Sequence, residues 1–384
     1  MIAQWRWRVL KLCWLDATDA MQLLNSLRSP YRRALLLASM GAAFDTRALP
    51  AKVLTFPRDY GSHPDFRTEW WYVTGHAKTT QREFGFQVTF FRSRVDGTQG
   101  MTSKFAAKQL IFAHAAVTDV QGRKLLHDQR IAREGFEVAM ADATDTHVRL
   151  GDWSLKREGK GEGRGEASGY RAQVAGNDFK LALALTPSQP LLLQGDKGLS
   201  RKGPEEKQAS YYYSEPQLAA TGVITLNGAD MAVRGMAWLD HEWSQELLHP
   251  LAVGWDWIGM NLFDGSALTA FQLRDKQGKA LWDGGSFRAK GGPVHRFSPG
   301  EVIFSRQRSW KSIASQATYP VEWIVRTPAD FYTIRAVIDN QELDSRASTG
   351  AMYWEGLSDL FDSNGQHVGR GYLEMTGYAS RLRI

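Results

Sequence analysis

The segment Val233-Arg234-Gly235-Met236-Ala237-Trp238-Leu239-Asp240-His241-Glu242-Trp243 carries both the fold signal and the functional signal of this chain. Its first part predicts a β-strand. Its end breaks the apolar–polar alternation of a half-buried strand, because three ionisable residues stand in a row between two tryptophans. Burying charge is costly, so such a violation favours either a functional site or a polar contact between domains.

Short strand-like runs continue through the chain from residue 54 onward, and helical periodicity is scarce. The clearest runs are Trp70–Thr74, Phe84–Arg92, Leu110–Thr118, Gly135–Ala139, Phe179–Thr186 and Gly222–Leu226. Turn signals such as Asp96-Gly97, Asn227-Gly228 and Asp264-Gly265 bound these runs. The sequence therefore predicts an all-β protein built from antiparallel strands.

The β-rich part of the chain contains an internal repeat. A tryptophan-rich triplet is followed by a Phe-Gln pair, and an Arg-Gly strand comes near the end of each half. The matching stretches are Trp70-Trp71-Tyr72, Phe86-Gln87 and Arg234-Gly235 in the first half, and Trp255-Asp256-Trp257, Phe271-Gln272 and Arg370-Gly371 in the second. We therefore predict two related β units, over residues 51–250 and 251–384. Short strands joined by hairpin turns suit barrels, and a barrel of about eight to ten strands can enclose a small apolar ligand.

The repeat also bears on the ionisable run. Aligning the two Arg-Gly pairs places residues 240–242, Asp-His-Glu, opposite residues 376–378, Thr-Gly-Tyr. The second unit therefore closes its strand with uncharged residues at this point, so the fold alone does not require the run. This favours a functional or inter-domain role for it.

Composition excludes several classes of protein. The formal net charge is +6, but residues 1–50 contain seven basic and three acidic residues, so the remaining 334 residues carry only about +2. A region so close to neutral lacks the excess positive charge that is typical of nucleic-acid binding, and we predict no such partner. Cys13 is the single cysteine, so the body has neither a disulfide nor a thiolate site. Nucleotide-binding and serine-hydrolase motifs do not occur, and we expect no cofactor.

Residues 1–50 are predicted to be an N-terminal extension with an export signal. The pair Arg32-Arg33 precedes an apolar run of about ten residues and then small residues, the pattern of such a signal. The pair is similar to a twin-arginine signal. The run is too short to span a bilayer, and the alternative is an ordinary amphipathic N-terminal helix. Export would place the protein in the periplasm or outside the cell.

Asp240, His241 and Glu242 are the first candidates for catalysis. Alternate residues of a strand share a face, so Asp240 and Glu242 point one way and His241 the other. Two nearby carboxylates can divide their pKa values, which leaves one protonated as a general acid. Asp256, between two tryptophans, is a fourth candidate. The alternative is a polar network between domains. A metal site is not predicted, because neighbouring strand residues cannot converge on one ion.

Aromatic residues near these carboxylates are the candidates for ligand binding. Their rings can line a cavity and stabilise a developing cation. The alternative is that they fill the barrel cores, with their polar tips hydrogen-bonded. The candidates are Trp70, Trp71, Tyr72, Tyr212, Trp238, Trp243, Trp255 and Trp257.

Several segments, taken together, resemble one family. They occur in order between residues 54 and 380 and are Glu69–Gly75, Phe86–Arg92, Ser210–Ser214, Trp238–Trp243, Gly254–Trp257, Tyr353–Gly356 and Gly371–Tyr378. With them the chain resembles the AttH-like, carotenoid 1,2-hydratase-related family of lipocalin-like proteins, often described as secreted hydrolases. The resemblance implies two lipocalin-like β-barrel domains packed together, an exported bacterial protein and an apolar ligand.

The resemblance also implies two kinds of function. Some relatives hydrate double bonds of acyclic carotenoids, and others are associated with an ABC transport system of the lipoprotein-exporting type. His241 and Trp243 match the His-x-Trp element of the hydratases. The Tyr and Asp that those enzymes carry on a later strand are missing from Leu268–Arg274, so Asp240, Glu242 or Asp256 would have to supply the proton.

We therefore expect an exported lipocalin-like protein that binds an apolar or lipid-like molecule and has an ABC permease as a partner in envelope lipid or lipoprotein transport. The alternative is a hydratase or isomerase, a hydro-lyase type of enzyme that protonates a C=C bond of an isoprenoid. The two hypotheses differ in whether a carboxyl group reaches an apolar cavity.

Overall fold

The structure, a computed structural model, describes residues 48–159, 168–246 and 248–381. Residues 1–47, which hold the predicted export signal, lie outside these ranges. The described residues form strands, turns and two short 3-10 helices, Arg58–Tyr60 and Asp96–Thr98. No helix in the described part is long and apolar enough to cross a membrane. The prediction of an all-β fold is confirmed.

The first sheet contains the strands that precede residue 247. They are β1 (Thr68–Lys78), β2 (Glu83–Arg94), β3 (Gln109–Asp119), β4 (Lys124–Arg133), β5 (Ala139–Ala141), β6 (His147–Leu150), β7 (Trp153–Glu158), β8 (Gly169–Ala175), β9 (Phe179–Thr186), β10 (Leu192–Leu193), β11 (Leu199–Arg201), β12 (Ala209–Leu226) and β13 (Ala229–Glu246). The order is β4-β3-β2-β1-β13-β12-β9-β8-β7-β6-β5, and β10 and β11 add to β12. Strands β3 and β4 also contact β6, so this antiparallel sheet is a nearly closed barrel.

The second sheet follows in the chain. The remaining strands are β14 (Gly254–Leu262), β15 (Ala267–Arg274), β16 (Ala280–Arg288), β17 (Val294–Phe297), β18 (Ile303–Arg306), β19 (Ser309–Lys311), β20 (Thr318–Pro320), β21 (Glu322–Arg326), β22 (Phe331–Ala336), β23 (Glu342–Ser345), β24 (Ala351–Phe361) and β25 (His367–Met375). Their order is β17-β16-β15-β14-β25-β24-β22-β21-β18, with β23 on β24 and a separate β19–β20 ribbon. The predicted domain limits, 51–250 and 251–384, remain a prediction.

The internal repeat corresponds to a shared arrangement of three strands. In the first sheet β1 lies between β2 and β13, and in the second sheet β14 lies between β15 and β25. The tryptophan-rich triplets are on β1 and β14, and the Arg-Gly pairs are on β13 and β25. The two sheets therefore place equivalent strands at their centres.

Each sheet encloses a core of apolar side chains, and a third apolar cluster lies between the two sheets. The first core includes Trp71, Val73, Leu239 and Trp243, and the second includes Ile258, Trp323, Trp354 and Leu373. The third cluster includes Tyr72, Trp238, Trp257, Phe271 and Tyr372. Because side chains alternate along a strand, β1, β13, β14 and β25 each contribute to a core on one face and to the inter-sheet cluster on the other.

Hydrogen bonds fix the two sheets against each other around this third cluster. Asn261 Nδ2 donates to the carbonyl of Ala237 at 3.0 Å. Thr118 Oγ1 donates to Gln341 Oε1 at 2.8 Å. All four residues are buried, so these bonds satisfy polar groups that water does not reach. The inter-sheet space therefore has fixed walls.

The two Arg-Gly glycines are required because a neighbouring strand passes close to each. A Cβ on Gly235 would lie 1.8 Å from the carbonyl oxygen of His76, and one on Gly371 would lie 2.0 Å from that of Gly259. Both contacts are with backbone, so we expect G235A and G371A each to lower the free energy of unfolding by about 2 kcal/mol or more. Denaturant unfolding measures this. G97A is the control, because a Cβ there meets nothing within 4 Å; equal stability of all three variants would contradict the assignment.

Candidate functional site

Strand β13 divides its side chains between two environments. Asp240 and Glu242 border a cavity between the two sheets. His241 points into the first barrel, where its ring stacks 4.6 Å from Trp71 and lies 4.8 Å from Trp243. The predicted separation of the two carboxyl groups from the histidine is therefore present.

The inter-sheet cavity has a volume of about 320 Å³. Strands from both sheets line it, and the surface that they expose to it is mostly apolar. The aromatic ones are Trp70, Tyr72, Phe91, Phe112, Tyr212, Trp255, Trp257, Phe271 and Tyr353. An apolar cavity of this size with a few converging polar groups is typical of a small-molecule site.

Asp240 can hold a proton near neutral pH. Its Oδ1 accepts hydrogen bonds from Ser214 Oγ at 2.5 Å and Trp238 Nε1 at 2.7 Å, and its Oδ2 accepts one from Tyr212 Oη at 2.8 Å. Burial raises the pKa of Asp240 to about 7, although these three hydrogen bonds act in the opposite direction. Tyr212 itself lines the cavity, so the carboxyl group is linked to the cavity through a phenol.

Glu242 is paired with a lysine that sequence reasoning missed. Lys202 Nζ lies 3.0 Å from Glu242 Oε1, and both side chains are largely buried. Ser210 donates a further hydrogen bond to the same oxygen. The ammonium group also lies 4.7 Å from the ring centre of Tyr212 and 4.4 Å from that of Phe271. Lys202 stands in a loop with no pattern around it, so the sequence offered no signal for it.

Two further carboxyl groups reach the cavity from the second sheet. Glu355 on β24 and Glu374 on β25 are directly opposite each other in the strand register. Burial, and then the nearby Glu374, raise the pKa of Glu355 well above its ordinary value. Burial raises the pKa of Glu374 to about 7. A sequence signal was available, because each glutamate interrupts an aromatic or aliphatic strand as Asp240 does.

The opposite face of β13 carries a buried polar network centred on Glu69. Glu69 Oε1 lies 2.7 Å from His63 Nδ1 and 2.9 Å from His241 Nε2, and Oε2 accepts from Arg92 Nε at 2.8 Å. Tyr213 Oη lies 3.1 Å from the other ring nitrogen of His241. The network joins the segment before β1 to β1, β2, β12 and β13.

The protonation of this network is set by its hydrogen bonds. Burial would raise the pKa of Glu69, but hydrogen bonds from His241 and His63 outweigh burial and hold the pKa well below its ordinary value. Burial lowers the pKa of His241 to about 4, which leaves a neutral ring at pH 7. The network therefore contains a carboxylate that is fully hydrogen-bonded.

His63, Glu69 and His241 are also the described residues whose potential metal-ligating atoms lie close together. Their atoms are already within hydrogen-bond distance of one another, and Arg92 donates to the same carboxylate. A dication would have to compete with this guanidinium for Glu69. The donor set therefore suits a proton-mediated network better than a metal.

Asp256 does not line the inter-sheet cavity, and its catalytic role stays a prediction. Its Oδ2 accepts hydrogen bonds from Gln272 Nε2 at 2.8 Å and Arg274 Nε at 3.0 Å. Its Oδ1 accepts one from Tyr378 Oη at 2.9 Å. The reason is strand alternation, since Trp255 and Trp257 point towards the cavity and Asp256 therefore points into the second sheet.

The other predicted residues divide in the same way. Trp70, Tyr72, Tyr212, Trp255 and Trp257 line the cavity, where their binding of a ligand stays a prediction. Trp238 is buried between the sheets and donates to Asp240. Trp71, His241 and Trp243 face the interior of the first barrel rather than the cavity. Ligand binding by the two tryptophans and catalysis by His241 stay predictions.

The fold agrees with comparisons to known proteins. The sequence profile of the AttH-like family matches residues 47–378. A solved structure of a provisionally assigned AttH from Nitrosomonas europaea is 48% identical, covers 86% of this chain and 99% of its own, and has a TM-score of 0.79. The protein is thus a two-sheet, lipocalin-like β-barrel protein. It belongs to the AttH-like family.

More distant similarity extends to a hydratase. The crystal structure of kievitone hydratase from Nectria haematococca is 13% identical, covers 85% of this chain and 94% of its own, and has a TM-score of 0.65. At this identity the likeness shows a shared fold. Comparison with curated proteins finds no match.

Replacing Glu69 by Gln should destabilise the protein, because the buried Arg92 would lose its ionic partner. We expect a loss of about 3 kcal/mol or more in the free energy of unfolding at pH 7. The matched control is E158Q, which removes the partner of Arg171 in a pair at 3.2 Å that is about half exposed on both sides and should cost about 1 kcal/mol or less. Denaturant unfolding compares the two, and equal losses would show that the Glu69 network is not structural.

Proposed function

We propose that the protein binds a small, largely apolar, unsaturated molecule in the inter-sheet cavity and transfers a proton to a C=C bond of that molecule. The observation that carries this is the buried carboxyl group of Asp240, linked to the cavity through Tyr212 Oη at 2.8 Å. A carboxyl group that reaches an apolar cavity is what distinguishes the enzyme hypothesis from the hypothesis of a simple carrier. The proposed class is therefore a hydratase or isomerase, with an isoprenoid as the expected kind of substrate.

The cavity suits an apolar molecule of limited size. Its lining exposes far more apolar than polar surface, and its volume of about 320 Å³ would hold a short isoprenoid or one end of a long one. Because the walls exclude water, the fixed dipoles and charges around the cavity act more strongly on a proton transfer within it. Binding by burial of apolar surface would supply the affinity.

The chemistry needs an acid, stabilisation of a cation, and a final acceptor for a proton. In the protonated form, Asp240 Oδ2 would carry the proton and donate it to Tyr212 Oη, while the phenol passes its own proton to one alkene carbon. This leaves a carbocation on the other carbon. The faces of Trp255, Trp257 or Tyr72 would stabilise that charge. In hydration, water then bonds to the cation and returns one proton to Asp240. In isomerisation, an adjacent carbon loses the proton instead.

Tyr212 and Asp240 supply the two residue types that are missing from Leu268–Arg274. They come from neighbouring strands, since Ser214 on β12 is opposite Asp240 on β13 and Tyr212 is two residues before Ser214. A phenol and a carboxyl group in contact therefore lie at the cavity, but on β12 and β13 rather than on β15. This supports the proposed chemistry without the expected strand motif.

Incubation in deuterium oxide tests the proposal, because both hydration and isomerisation add solvent-derived hydrogen to carbon. We expect deuterium in recovered acyclic isoprenoid, measured by mass spectrometry, and a mass increase of one water where hydration occurs. D240N should lower the rate about 100-fold or more. Asp240 must be protonated to donate, so the rate should fall as pH rises through about 7.

The control is D178N, since Asp178 is exposed. Full activity in D240N, or no deuterium incorporation by the wild-type protein with any isoprenoid that binds, would contradict the proposed acid chemistry. Binding of the isoprenoid is measured in parallel by quenching of tryptophan fluorescence. A protein that binds but never incorporates deuterium would be a carrier.

We further propose export to the periplasm or the cell exterior, with an ABC permease as partner. The pattern around Arg32-Arg33 supports export, and the family resemblance supports the permease. We expect the protein in the periplasmic or secreted fraction of the native host, and retention inside the cell when both arginines are changed to Lys. R28K is the control. Cytoplasmic location of the wild-type protein would overturn export.

A further inference from the structure

We propose that the inter-sheet cavity is a binding site for an organic cation, a protonated or quaternary ammonium group carried on an apolar body. The geometry points to this through three features: a pair of directly opposed carboxyl groups, a lack of cationic partners for them, and aromatic walls. This binding activity goes beyond the proposed proton transfer and does not require it.

The opposed pair is Glu355 and Glu374. Cross-strand neighbours directly opposite each other lie within about 5.5 Å at Cβ, and like charges in that position destabilise a sheet. Both residues border the cavity rather than bulk solvent. The pair must therefore either share protons or receive a positive charge from another group.

No lysine, arginine or histidine among the described residues forms an ion pair with Glu355, Glu374 or Asp240. Lys202 and Arg92 are the cations that line the cavity. Lys202 Nζ is already 3.0 Å from Glu242, and Arg92 Nε is 2.8 Å from Glu69. The cavity lining therefore contains three carboxyl groups, Asp240, Glu355 and Glu374, in excess of its two ion pairs. A bound cation would balance negative charge that the protein itself leaves uncompensated.

Unpartnered atoms aim into the same space. Glu355 is 2% exposed, and its Oε1 has no hydrogen-bond partner in the described part of the chain. Tyr72 is 6% exposed and lies next to Glu355, and its Oη is also without a hydrogen bond of good geometry. Buried polar atoms normally have partners. An ammonium N–H or the polarised CH groups around a quaternary nitrogen would satisfy Glu355.

The aromatic walls suit a cation as well. Tyr72 and Trp257 form a corner, with ring centres 5.4 Å apart and planes at 86°. Trp255 and Tyr353 also line the cavity. Trp255 is a hydrogen-bond partner of Glu374, and Tyr353 lies two residues before Glu355 on β24. Rings combined with carboxyl groups form the usual recognition site for quaternary ammonium compounds.

The remaining groups that face the pair do not supply a positive charge. Burial lowers the pKa of His114 to about 3, which leaves it neutral. Burial raises the pKa of the nearby phenols well above their ordinary value, so they also stay neutral. The titratable and charged groups that line the cavity with Glu355 and Glu374 or act on their pKa are Glu69, Tyr72, Arg92, His114, Lys202, Tyr212, Asp240, Glu242, Tyr353 and Tyr372.

Cation binding should therefore displace protons from the cavity. Asp240 and Glu374 both have a pKa raised to about 7, so a cation would compete with their protons below that pH. Affinity should rise with increasing pH, by about tenfold per pH unit below pH 7 for each proton displaced. Above pH 7 the rise should be less steep, because Glu355, whose pKa is raised well above its ordinary value, is then the group that still holds a proton. A neutral ligand of the same shape would show no such rise.

The test compares benzyltrimethylammonium with its uncharged carbon isostere, neopentylbenzene. Binding to the full chain is measured by calorimetry and by tryptophan fluorescence between pH 5.5 and 8.5. At pH 8 we expect the cation to bind about tenfold more tightly or better than the isostere. Its affinity should fall on acidification while that of the isostere stays level.

Variants locate the site. E374Q and E355Q should each weaken cation binding about tenfold and reduce its pH dependence, while affinity for neopentylbenzene changes little. E206Q is the matched control, since Glu206 is exposed and lies four residues after Lys202. Thermal unfolding checks that each variant is folded. If a variant does not fold, the comparison of the two ligands on the wild-type protein still decides.

Equal affinity for the two ligands at pH 8, or cation affinity that is independent of pH, would overturn the proposal. So would unchanged cation binding in a folded E374Q and E355Q. These outcomes are separate from those of the isoprenoid experiment. Deuterium incorporation tests proton transfer to carbon, whereas the ligand pair tests recognition of charge in the ground state.

Discussion

The alternation of side chains along the central strands is the constraint on which the rest of this structure depends. Each of β1, β13, β14 and β25 separates a barrel core from the space between the sheets. A residue and its neighbour along such a strand therefore have different surroundings and different chemistry. The ionisable run on β13 illustrates this, because His241 completes a structural network while Asp240 and Glu242 border the cavity.

The two faces of β13 also differ in how their carboxyl groups are compensated. On the core side, Glu69 receives hydrogen bonds from two imidazoles and a guanidinium, and its pKa is held low. On the cavity side, Asp240 has neutral donors, and burial prevails to raise its pKa to about 7. A compensated carboxylate stabilises the fold at neutral pH. An uncompensated carboxyl group remains able to exchange a proton or to attract a cation.

Most of the fold follows from patterns that the sequence displays directly. Turn dipeptides, short strand-like runs and the internal repeat predicted antiparallel β units, and the family resemblance predicted their lipocalin-like form. The site was less accessible. Asp240 stood out as a violation within its own strand, but Lys202 comes from a loop, and the opposition of Glu355 and Glu374 depends on register. Asp256 was selected because it lies among tryptophans, yet alternation turns it towards Arg274.

Acid catalysis and cation binding would use the same carboxyl groups in opposite protonation states. Proton donation requires Asp240 in its neutral form, which predominates below about pH 7, whereas a resident cation favours the ionised form. The carbocation produced by alkene protonation carries its charge at the moment when Asp240 becomes a carboxylate. Walls that are complementary to a positive charge would therefore stabilise the transition state more than the neutral substrate, which is the condition for faster chemistry. A cationic ligand would then mimic that transition state and oppose reprotonation of Asp240.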